Sequence, residues 1–390
     1  FACFAMAIFA ALGIAFAANL FTLFLFYEIL TFSTYPLVTH YGDAEAKRAG
    51  RIYLGILLTT SVAFLLLGIM ATYYFSGTMD FKLGGILNGK VQAWQATILL
   101  GLYAFGTGKA ALMPFHKWLP NAMVAPTPVS ALLHAVAIVK AGVFTILKVV
   151  VYIFGIDFLA RTEASVWLMY VAAFTLLSSS IIALQKDNLK ARLAYSTISQ
   201  LAYIVLGAAL ATDSAIIGGG LHIAMHAIGK ITLFFCAGAI YVALHKKNIS
   251  TMNGIGRKMP FTMSAFFIGS LCIIGVPPMG GSWSKWYLAM GAIDADRLLF
   301  VVILMISSLL SIAYLMPVVV KAFFLEPSED DHHDENHGAE TPTKEGFFGQ
   351  IQEAPLLCVV PLCLTALGCI GMFFGAPYVY NLIESITKVS

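Results

Sequence analysis

Four lysines stand inside long apolar stretches of this sequence, where little water is available to solvate a positive charge. They are Lys109, Lys140, Lys230 and Lys285. A charged side chain at the centre of a bilayer costs roughly 2.5–3.5 kcal/mol on insertion scales, so such residues are rare and mark ion or proton pathways. A desolvated lysine can also lose its proton and regain it, which suits it to a proton relay. We therefore expect these four lysines to be functional.

Three histidines accompany two of these lysines. His222, His226 and Lys230 are four residues apart, so their side chains lie along one face of a helix. His134 lies six residues before Lys140. Histidine changes charge near neutral pH, which suits it to pass protons between lysines. For any one of the three histidines, a hydrogen-bonded packing role is the alternative.

One carboxylate also lies deep in an apolar stretch. Glu28 stands between two aromatic and two aliphatic residues. A carboxylate and a lysine in a medium of low polarity each favour the charged form of the other. Sodium would need several carboxylate or carbonyl oxygens, so this residue set favours protons and leaves sodium or potassium open. Lys148 is nearer to a helix end, where it can extend to the membrane surface instead.

Two apolar stretches combine a lysine with glycine and proline. One runs from residue 105 to 120 and the other from 275 to 285. Irregular backbone at membrane depth is tolerated only where it lines protein or a water-filled cavity. A pair of interrupted helices in two halves of a chain points to an ion site between inverted repeats. Loops outside the membrane are the alternative for each segment.

The overall composition requires a membrane. Of 390 residues, 59% are hydrophobic and 11% are charged, which is about half the charged fraction of soluble domains. The net charge of +3 gives no reason to expect nucleic acid as a partner. The sequence predicts an all-α, polytopic fold with about eleven transmembrane helices. We place them near residues 1–18, 20–39, 52–76, 92–113, 128–154, 164–184, 192–211, 214–244, 260–288, 297–324 and 354–375.

Basic residues predict the orientation of these spans, because cytoplasmic loops retain lysine and arginine. The loops after the second, sixth and eighth spans carry most of them, and all three fall on one side. We therefore place this side in the cytoplasm, together with the polar linker 325–353. Its run of histidines and acids at 330–335 could bind a metal loosely, but we favour a solvated linker and predict no metal site.

The six cysteines lie within apolar runs and form no CxxC pair or cluster with histidines. We interpret them as packing residues. The sequence also lacks an iron–sulfur motif and a flavin or nucleotide loop, so we predict no cofactor of its own. Any redox chemistry would belong to a partner chain.

Two segments of the first half resemble a known family signature. They read MPFHKWLPNAM at 113–123 and APTPVSALLHA at 125–135, and the segments 188–200 and 222–230 are also similar to that family. It is the antiporter-like family, which comprises the large Mrp-type cation/proton antiporter subunits and the proton-pumping subunits of complex I and membrane-bound hydrogenases. The resemblance extends over nearly the whole chain.

The resemblance implies a fold of fourteen helices with two inverted five-helix repeats, each containing a broken helix. The first repeat would be 1–154, helices 4–8 of that fold, and the second 155–324, helices 9–13. The linker 325–353 and a last helix with its tail, 354–390, would follow. About three helices would then be missing before Phe1, as expected if the chain begins inside a larger protein.

The resemblance also implies roles for the buried charges. Glu28 would pair with Lys109 of the first broken helix, and Lys140 would be the relay lysine of the next helix. Lys285 would be the terminal lysine of the second broken helix. The histidines and lysine of 222–230 would link the two halves.

The implied function is proton translocation by one subunit of a hetero-oligomeric complex in the inner (plasma) membrane, as a multi-pass protein among other membrane subunits. Lys285 stands where other members carry glutamate, which favours the D-type subunit of an Mrp assembly and monovalent cation/proton antiport. One alternative is a proton-pumping subunit of complex I or of a membrane-bound hydrogenase. Another is a coupling subunit that energises uptake of a small inorganic substrate through a partner.

Overall fold

The computed structural model of the chain describes residues 1–326 and 351–387. Within them the protein is entirely helical apart from turns and isolated bridges, as predicted. The α-helices are α1 (Ala2–Phe16), α2 (Leu20–Val38), α3 (Ala44–Thr60), α4 (Leu66–Ser76), α5 (Ala93–Gly106), α6 (Trp118–Asn121), α7 (Thr127–Ala131), α8 (Ile138–Val149), α9 (Ile156–Thr162), α10 (Val166–Gln185), α11 (Leu189–Leu210), α12 (Asp213–Leu244), α13 (Ile255–Lys258), α14 (Pro260–Ile274), α15 (Gly281–Asp294), α16 (Leu298–Phe324) and α17 (Leu356–Thr387).

Eight helical stretches of the described chain are long and apolar enough to cross a membrane. They are Leu20–Val38, Ala44–Ser76, Thr127–Phe154, Val166–Gln185, Leu189–Leu210, Asp213–Leu244, Leu298–Phe324 and Leu356–Thr387. Helices α1, α5 and α14 are apolar but shorter. The eight long stretches and the three shorter helices coincide with the eleven predicted segments. This confirms the prediction of a polytopic all-α fold.

Polar side chains set where several long helices begin. Four of them start at a residue whose side-chain oxygen accepts a hydrogen bond from the backbone N–H three residues on. These residues are Asn19 before α2, Asp43 before α3, Asn188 before α11 and Thr212 before α12. These four side chains therefore fix the N-terminal ends of their helices.

Two predicted boundaries were wrong. The third span was expected to begin at 52, but α3 begins at Ala44. Its first two turns are charged, so a hydropathy window misses them although Asp43 caps the helix. The last span was expected to end near 375, but α17 continues to Thr387 past two internal prolines. Proline is tolerated in membrane helices because neighbouring groups can satisfy the freed backbone.

Both predicted helix breaks are present. After α5 ends at Gly106, the chain makes a short 3₁₀ turn at Gly108–Ala110 and becomes helical again only at Trp118. The second break separates α14 from α15 at residues 275–280. A Cβ at Gly106 would overlap the backbone of Leu65, in a π-helical segment between α3 and α4. Glycine therefore lets the first break pack closely against that segment.

The loops gather at two opposite ends of the bundle. At one end, Ser250 donates to Asp187 through its backbone N–H at 2.9 Å and its hydroxyl at 2.7 Å. The three loops rich in lysine and arginine contribute to a cleft of about 1300 Å³ at this end. At the other end, Arg297 forms an ion pair with Glu163 at 2.6 Å. The basic loops thus share one end, and its assignment to the cytoplasm stays a prediction.

Helix α11 lies at the centre of the bundle. Within its apolar window, 94% of the residues are buried, more than in any other candidate span of the described chain. Helices α10, α12, α15 and α16 pack around it. Polar side chains on α11 therefore face protein rather than lipid.

The division into repeats at 1–154 and 155–324 stays a prediction. The predicted histidine and acid run at 330–335 lies outside the described residues, as does most of the linker 325–353.

Candidate functional site

The 3₁₀ turn at the first break carries Lys109, whose side chain is fully buried. Its ammonium donates to the backbone oxygen of Tyr27 at 2.7 Å and to the hydroxyl of Thr31 at 2.7 Å. It also lies 3.1 Å from the centroid of the Tyr27 ring. A Cβ at Gly142 of α8 would overlap the backbone of Lys109. The lysine is therefore held between α2 and α8.

Glu28 lies on the same turn of α2 but is not in direct contact with Lys109. Both of its carboxylate oxygens are buried and accept no hydrogen bond. Tyr27 and Thr31 are four residues apart and share a helix face, whereas Glu28 is rotated about 100° from Tyr27. Its charge nevertheless acts on the lysine. The expected charge pair is thus a close approach rather than a formed ion pair.

Lys140 of α8 makes the contact that joins the two halves of the chain. Its ammonium is hydrogen-bonded to Nδ1 of His226 on α12. Both side chains are buried, with 7% and 1% of their surface exposed. Nε2 of His226 has no hydrogen-bond partner. The structure therefore brings these two predicted site residues together.

His222 continues this contact by one turn of α12. Its ring stacks on that of His226, with centroids 5.9 Å apart and planes at 19°. Nδ1 is 2.9 Å from the hydroxyl of Ser284 on α15, and Nε2 is 3.1 Å from the amide oxygen of Gln200 on α11. Both ring nitrogens therefore have partners outside α12.

Lys285 lies beyond the second break, in the first turns of α15. Its ammonium donates to the backbone oxygen of Ile274 at 2.9 Å and to the hydroxyl of Ser308 at 3.0 Å. It is also 4.8 Å from the centroid of the Tyr203 ring, and that ring stacks on His222 at 5.3 Å. Tyr203 thus connects the histidines with the terminal lysine.

Lys230 shares the α12 face with the two histidines but contacts α11 instead. Its fully buried ammonium donates to the hydroxyl of Ser196 at 2.7 Å and to the backbone oxygen of Leu193 at 3.2 Å. The predicted helical face is present. Its three members nevertheless have different partners.

His134 occupies a π-helical segment, Leu132–Val136, between α7 and α8. Its ring lies 4.8 Å from that of Phe234, and neither ring nitrogen has a hydrogen-bond partner. The charges of Lys230 and Lys140 act on it, although it contacts neither. The structure therefore places it beside the relay residues and not within their hydrogen bonds.

Lys148 is separate from this site. It donates to the backbone oxygen of Ala17 at 2.7 Å and lies over the ring of Phe81 at 4.3 Å. Ala17 follows the last residue of α1, so the lysine satisfies a carbonyl at that helix end. This contact is a structural one at the end of a helix.

Sequence reasoning missed the neutral polar partners. These are Tyr27, Thr31, Ser196, Gln200, Tyr203, Ser284 and Ser308. A signal existed in α11, where three of them recur at helical spacing inside an apolar stretch. Hydroxyl groups are common in membrane helices, however, so their spacing alone does not identify their partners.

The described residues contain no cluster of three or more histidine, cysteine or acidic side chains that could hold a metal ion. Their six cysteines are all free. The arrangement offers acid–base groups and hydroxyls, which can accept and donate protons.

The comparison with a family pattern agrees with the resemblance seen in the sequence. Residues 17–311 match the family described as "NADH:quinone oxidoreductase/Mrp antiporter, TM". All eight predicted site residues fall within this range.

Several curated relatives are more than 30% identical to the chain, and two of them come from different kinds of complex. NADH-quinone oxidoreductase subunit N of Desulforudis audaxviator is 32% identical over 377 residues, which cover 96% of this chain and 74% of the relative. Hydrogenase-4 component B of Escherichia coli is 34% identical over 289 residues, 69% of this chain and 41% of the relative. The chain thus spans less than half the length of the second relative.

A solved structure has the same fold. A chain of the Mrp complex from Dietzia sp. superimposes with a TM-score of 0.81 at 22% identity, covering 98% of this chain and 76% of that chain. At this identity the likeness shows the fold alone.

Proposed function

This chain belongs to the NADH:quinone oxidoreductase/Mrp antiporter family of multi-pass plasma-membrane proteins, and we propose that it translocates protons as one subunit of a multi-subunit complex. One observation carries the proposal. Buried side chains connect the two halves of the chain in the order Lys140, His226, His222, Tyr203 and Lys285. Such costly groups are retained in membrane helices where they form proton relays.

The first transfer runs from Lys140 to His226. The lysine ammonium gives a proton to Nδ1 of the histidine, so the lysine becomes neutral and the imidazole becomes charged. Nε2 of His226 is buried without a partner and can release the proton onward through a water molecule. The stacked ring of His222 is the nearest acceptor in the proposed order.

The second transfer involves His222 and the break beside α15. Ser284 has one hydroxyl proton, which it can direct either to His222 or to the backbone oxygen of Gly281, 3.0 Å away. A charged His222 donates from both nitrogens, so Ser284 must then turn its proton toward Gly281. Protonation of His222 therefore changes the hydrogen bond that Ser284 makes at the second helix break, next to Lys285.

The first half of the chain contains a separate set of buried charged groups, Glu28 and Lys109. Glu28 has no hydrogen-bond partner, and a buried carboxylate without one is unfavourable. Movement of the Lys109 ammonium from Tyr27 and Thr31 toward Glu28 would exchange two neutral contacts for an ion pair. We propose that this exchange changes the ease with which Lys109 gives up its proton to the relay.

Flux measurements on the assembled complex test the proposal. In vesicles with a pH-sensitive dye inside, Lys140→Ala is expected to lower proton flux severalfold, because it removes the proton-transfer group at the start of the relay. The matched control is Lys148→Ala, which removes a lysine from the same helix at a contact with α1. Flux at the wild-type rate in Lys140→Ala, with the complex intact, would exclude the relay.

Two kinds of assembly fit this function. The resemblance at Lys285 supports the D-type position of an Mrp antiporter, where sodium or potassium would exchange for protons. The names of the relatives, a quinone oxidoreductase subunit and a hydrogenase component, support a redox-driven complex. Sodium-dependent flux without a redox substrate favours the first assembly. Purified complex that carries flavin or iron–sulfur absorbance in its other subunits favours the second.

A further inference from the structure

The interface between α11 and α16 contains a row of hydroxyl groups, of which only Tyr203 also belongs to the relay described above. Helix α11 contributes Ser196, Ser199 and Tyr203, and α16 contributes Ser307, Ser308, Ser311 and Tyr314. We name this set the hydroxyl seam. Apart from the adjacent Ser307 and Ser308, the members on each helix recur three or four residues apart, so they share one face. The members on α11 face α16, and those on α16 face α11.

One end of the hydroxyl seam begins at Lys230. The lysine donates to Ser196 at 2.7 Å, and Ser196 donates to the hydroxyl of Tyr314 at 3.0 Å. Tyr314 lies 3.0 Å from the hydroxyl of Ser311, which donates to the backbone oxygen of Ser307 at 2.9 Å. Side chains from α12, α11 and α16 thus form consecutive hydrogen bonds that lead away from Lys230.

The other end of the seam reaches Lys285. Ser308 accepts from the lysine at 3.0 Å and lies 3.5 Å from the hydroxyl of Tyr203. The hydroxyl of Tyr203 also donates to the backbone oxygen of Leu304 at 3.2 Å. No direct side-chain hydrogen bond joins Ser307 to Tyr203, and none spans the interval from Ser311 to Ser307. That interval is one helical turn, about 5.4 Å, which rotation of the hydroxyls or one water molecule can bridge.

The bonding pattern distinguishes Ser196 from ordinary serines of membrane helices. A serine that only packs usually donates to a carbonyl of its own helix, as Ser179 does to Thr175 at 2.6 Å. Ser196 instead bonds to side chains of two other helices. It is fully buried, as is Tyr314. A hydroxyl can accept one proton while donating another, which is what a proton wire requires.

Ser196 is the only hydrogen-bond partner of Lys230 in the described chain that can take a proton from it and pass it on. The lysine ammonium contacts Ser196 and the backbone oxygen of Leu193, and the carbonyl cannot pass a proton on. His226 is one turn away on the same helix but bonds to Lys140 instead. The hydrogen bonds of Lys230 therefore lead into the seam.

We propose that the hydroxyl seam is a second proton route, from Lys230 to Lys285, which bypasses His222 and His226. In one transfer, an N–H bond of the Lys230 ammonium breaks as Ser196 takes its proton. Each hydroxyl passes its own proton to the next, and the last proton forms an N–H bond on a neutral Lys285. Lys230 ends neutral, Lys285 ends charged, and the hydroxyls then rotate back. This inference rests on the proposed proton translocation.

Single substitutions in the assembled complex provide the first test. Tyr314→Phe keeps the ring and removes the hydroxyl, and Ser196→Ala removes the first acceptor. Each is expected to lower proton flux in vesicles by about twofold, because one of two parallel routes remains. The matched control is Ser270→Ala, since Ser270 is fully buried and its hydroxyl has no hydrogen-bond partner. Ser196→Thr, which restores a hydroxyl, is expected to recover flux lost in Ser196→Ala.

A double variant separates a parallel route from a structural role. Tyr314→Phe and His222→Asn close one route each, so together they are expected to lower flux by more than the product of the two single losses. If the double variant is no slower than His222→Asn, or if Ser270→Ala lowers flux as much as Tyr314→Phe, the seam is not a proton route.

Lys285→Ala tells whether a failure lies with the seam or with the proposed function. Both routes end at Lys285, so this variant is expected to stop most flux. Wild-type flux in Lys285→Ala contradicts proton translocation by this chain as a whole. Loss of flux in Lys285→Ala, with wild-type flux in Tyr314→Phe and Ser196→Ala, contradicts the seam alone.

Discussion

The two helix breaks place similar residues in different surroundings. At the first, Lys109 is fully buried and donates to α2, close to a carboxylate. At the second, Lys285 is partly buried and donates to Ile274, the last residue of the helix before its own break. The first lysine thus donates only to another helix, whereas the second donates both to α16 and back to its own segment.

The difference shows two ways to hold a lysine at membrane depth. Lys109 has Glu28 as a nearby counter-charge, and the carboxylate has no other partner. Lys285 donates to no carboxylate in the described chain and instead meets the carbonyl end of α14. A helix C-terminus is worth about 0.3–1 kcal/mol to a cation, up to about 2 when partly buried. A weaker counter-charge suits a group that must release and recover protons at the end of a route.

The largest expected effect is at the first break. Lys109→Ala and Glu28→Ala are each expected to reduce proton flux by more than about tenfold, because each removes one of two buried groups of opposite charge at that break. The measurement is flux per assembled complex in vesicles. Intact complexes of either variant that pump at the wild-type rate would contradict the role of the pair.

A second prediction concerns stability and sharpens the comparison. Lys109→Ala leaves the Glu28 carboxylate buried without a nearby cation, at a cost of about 1–3 kcal/mol. Lys285→Ala leaves unbalanced only the partial negative charge at the C-terminus of α14. We therefore expect it to lower the thermal unfolding temperature less than Lys109→Ala does. Adding Glu28→Gln to Lys109→Ala is expected to restore stability but not flux. Equal destabilisation by the two lysine substitutions would mean that the two counter-charges do not differ in strength.

The sequence predicted the spans and the breaks because both follow from local chemistry. A run of apolar residues of the right length needs a membrane, and a dense cluster of glycine and proline favours a break in a helix. The contact of Lys140 with His226 joins helices far apart in sequence. No local pattern of residues predicts it. Only the cost of burying each charge separately indicated that such groups would find one another.

The remaining features of the site depend on how each helix is rotated against its neighbours, which cannot be predicted from a single sequence. Glu28 and Lys109 were expected to pair, but rotation along α2 presents Tyr27 and Thr31 to the lysine instead. Likewise, the spacing of His222, His226 and Lys230 predicted one face but not that Lys230 would turn to α11. The partners at both places are hydroxyl or carbonyl oxygens, which hydropathy does not separate from packing residues.

The smallest expected effect is at Lys148, which is buried in part in the same helical stretch as Lys140. Its ammonium satisfies a carbonyl beyond the end of α1 and contacts no relay residue in the described chain. Lys148→Ala is expected to leave proton flux near the wild-type rate and to lower stability by about 1 kcal/mol, the value of one hydrogen bond. Flux and thermal unfolding are measured on the same preparation. Loss of flux comparable to that of Lys109→Ala would place the pathway along α1 and remove the distinction between relay lysines and anchoring lysines.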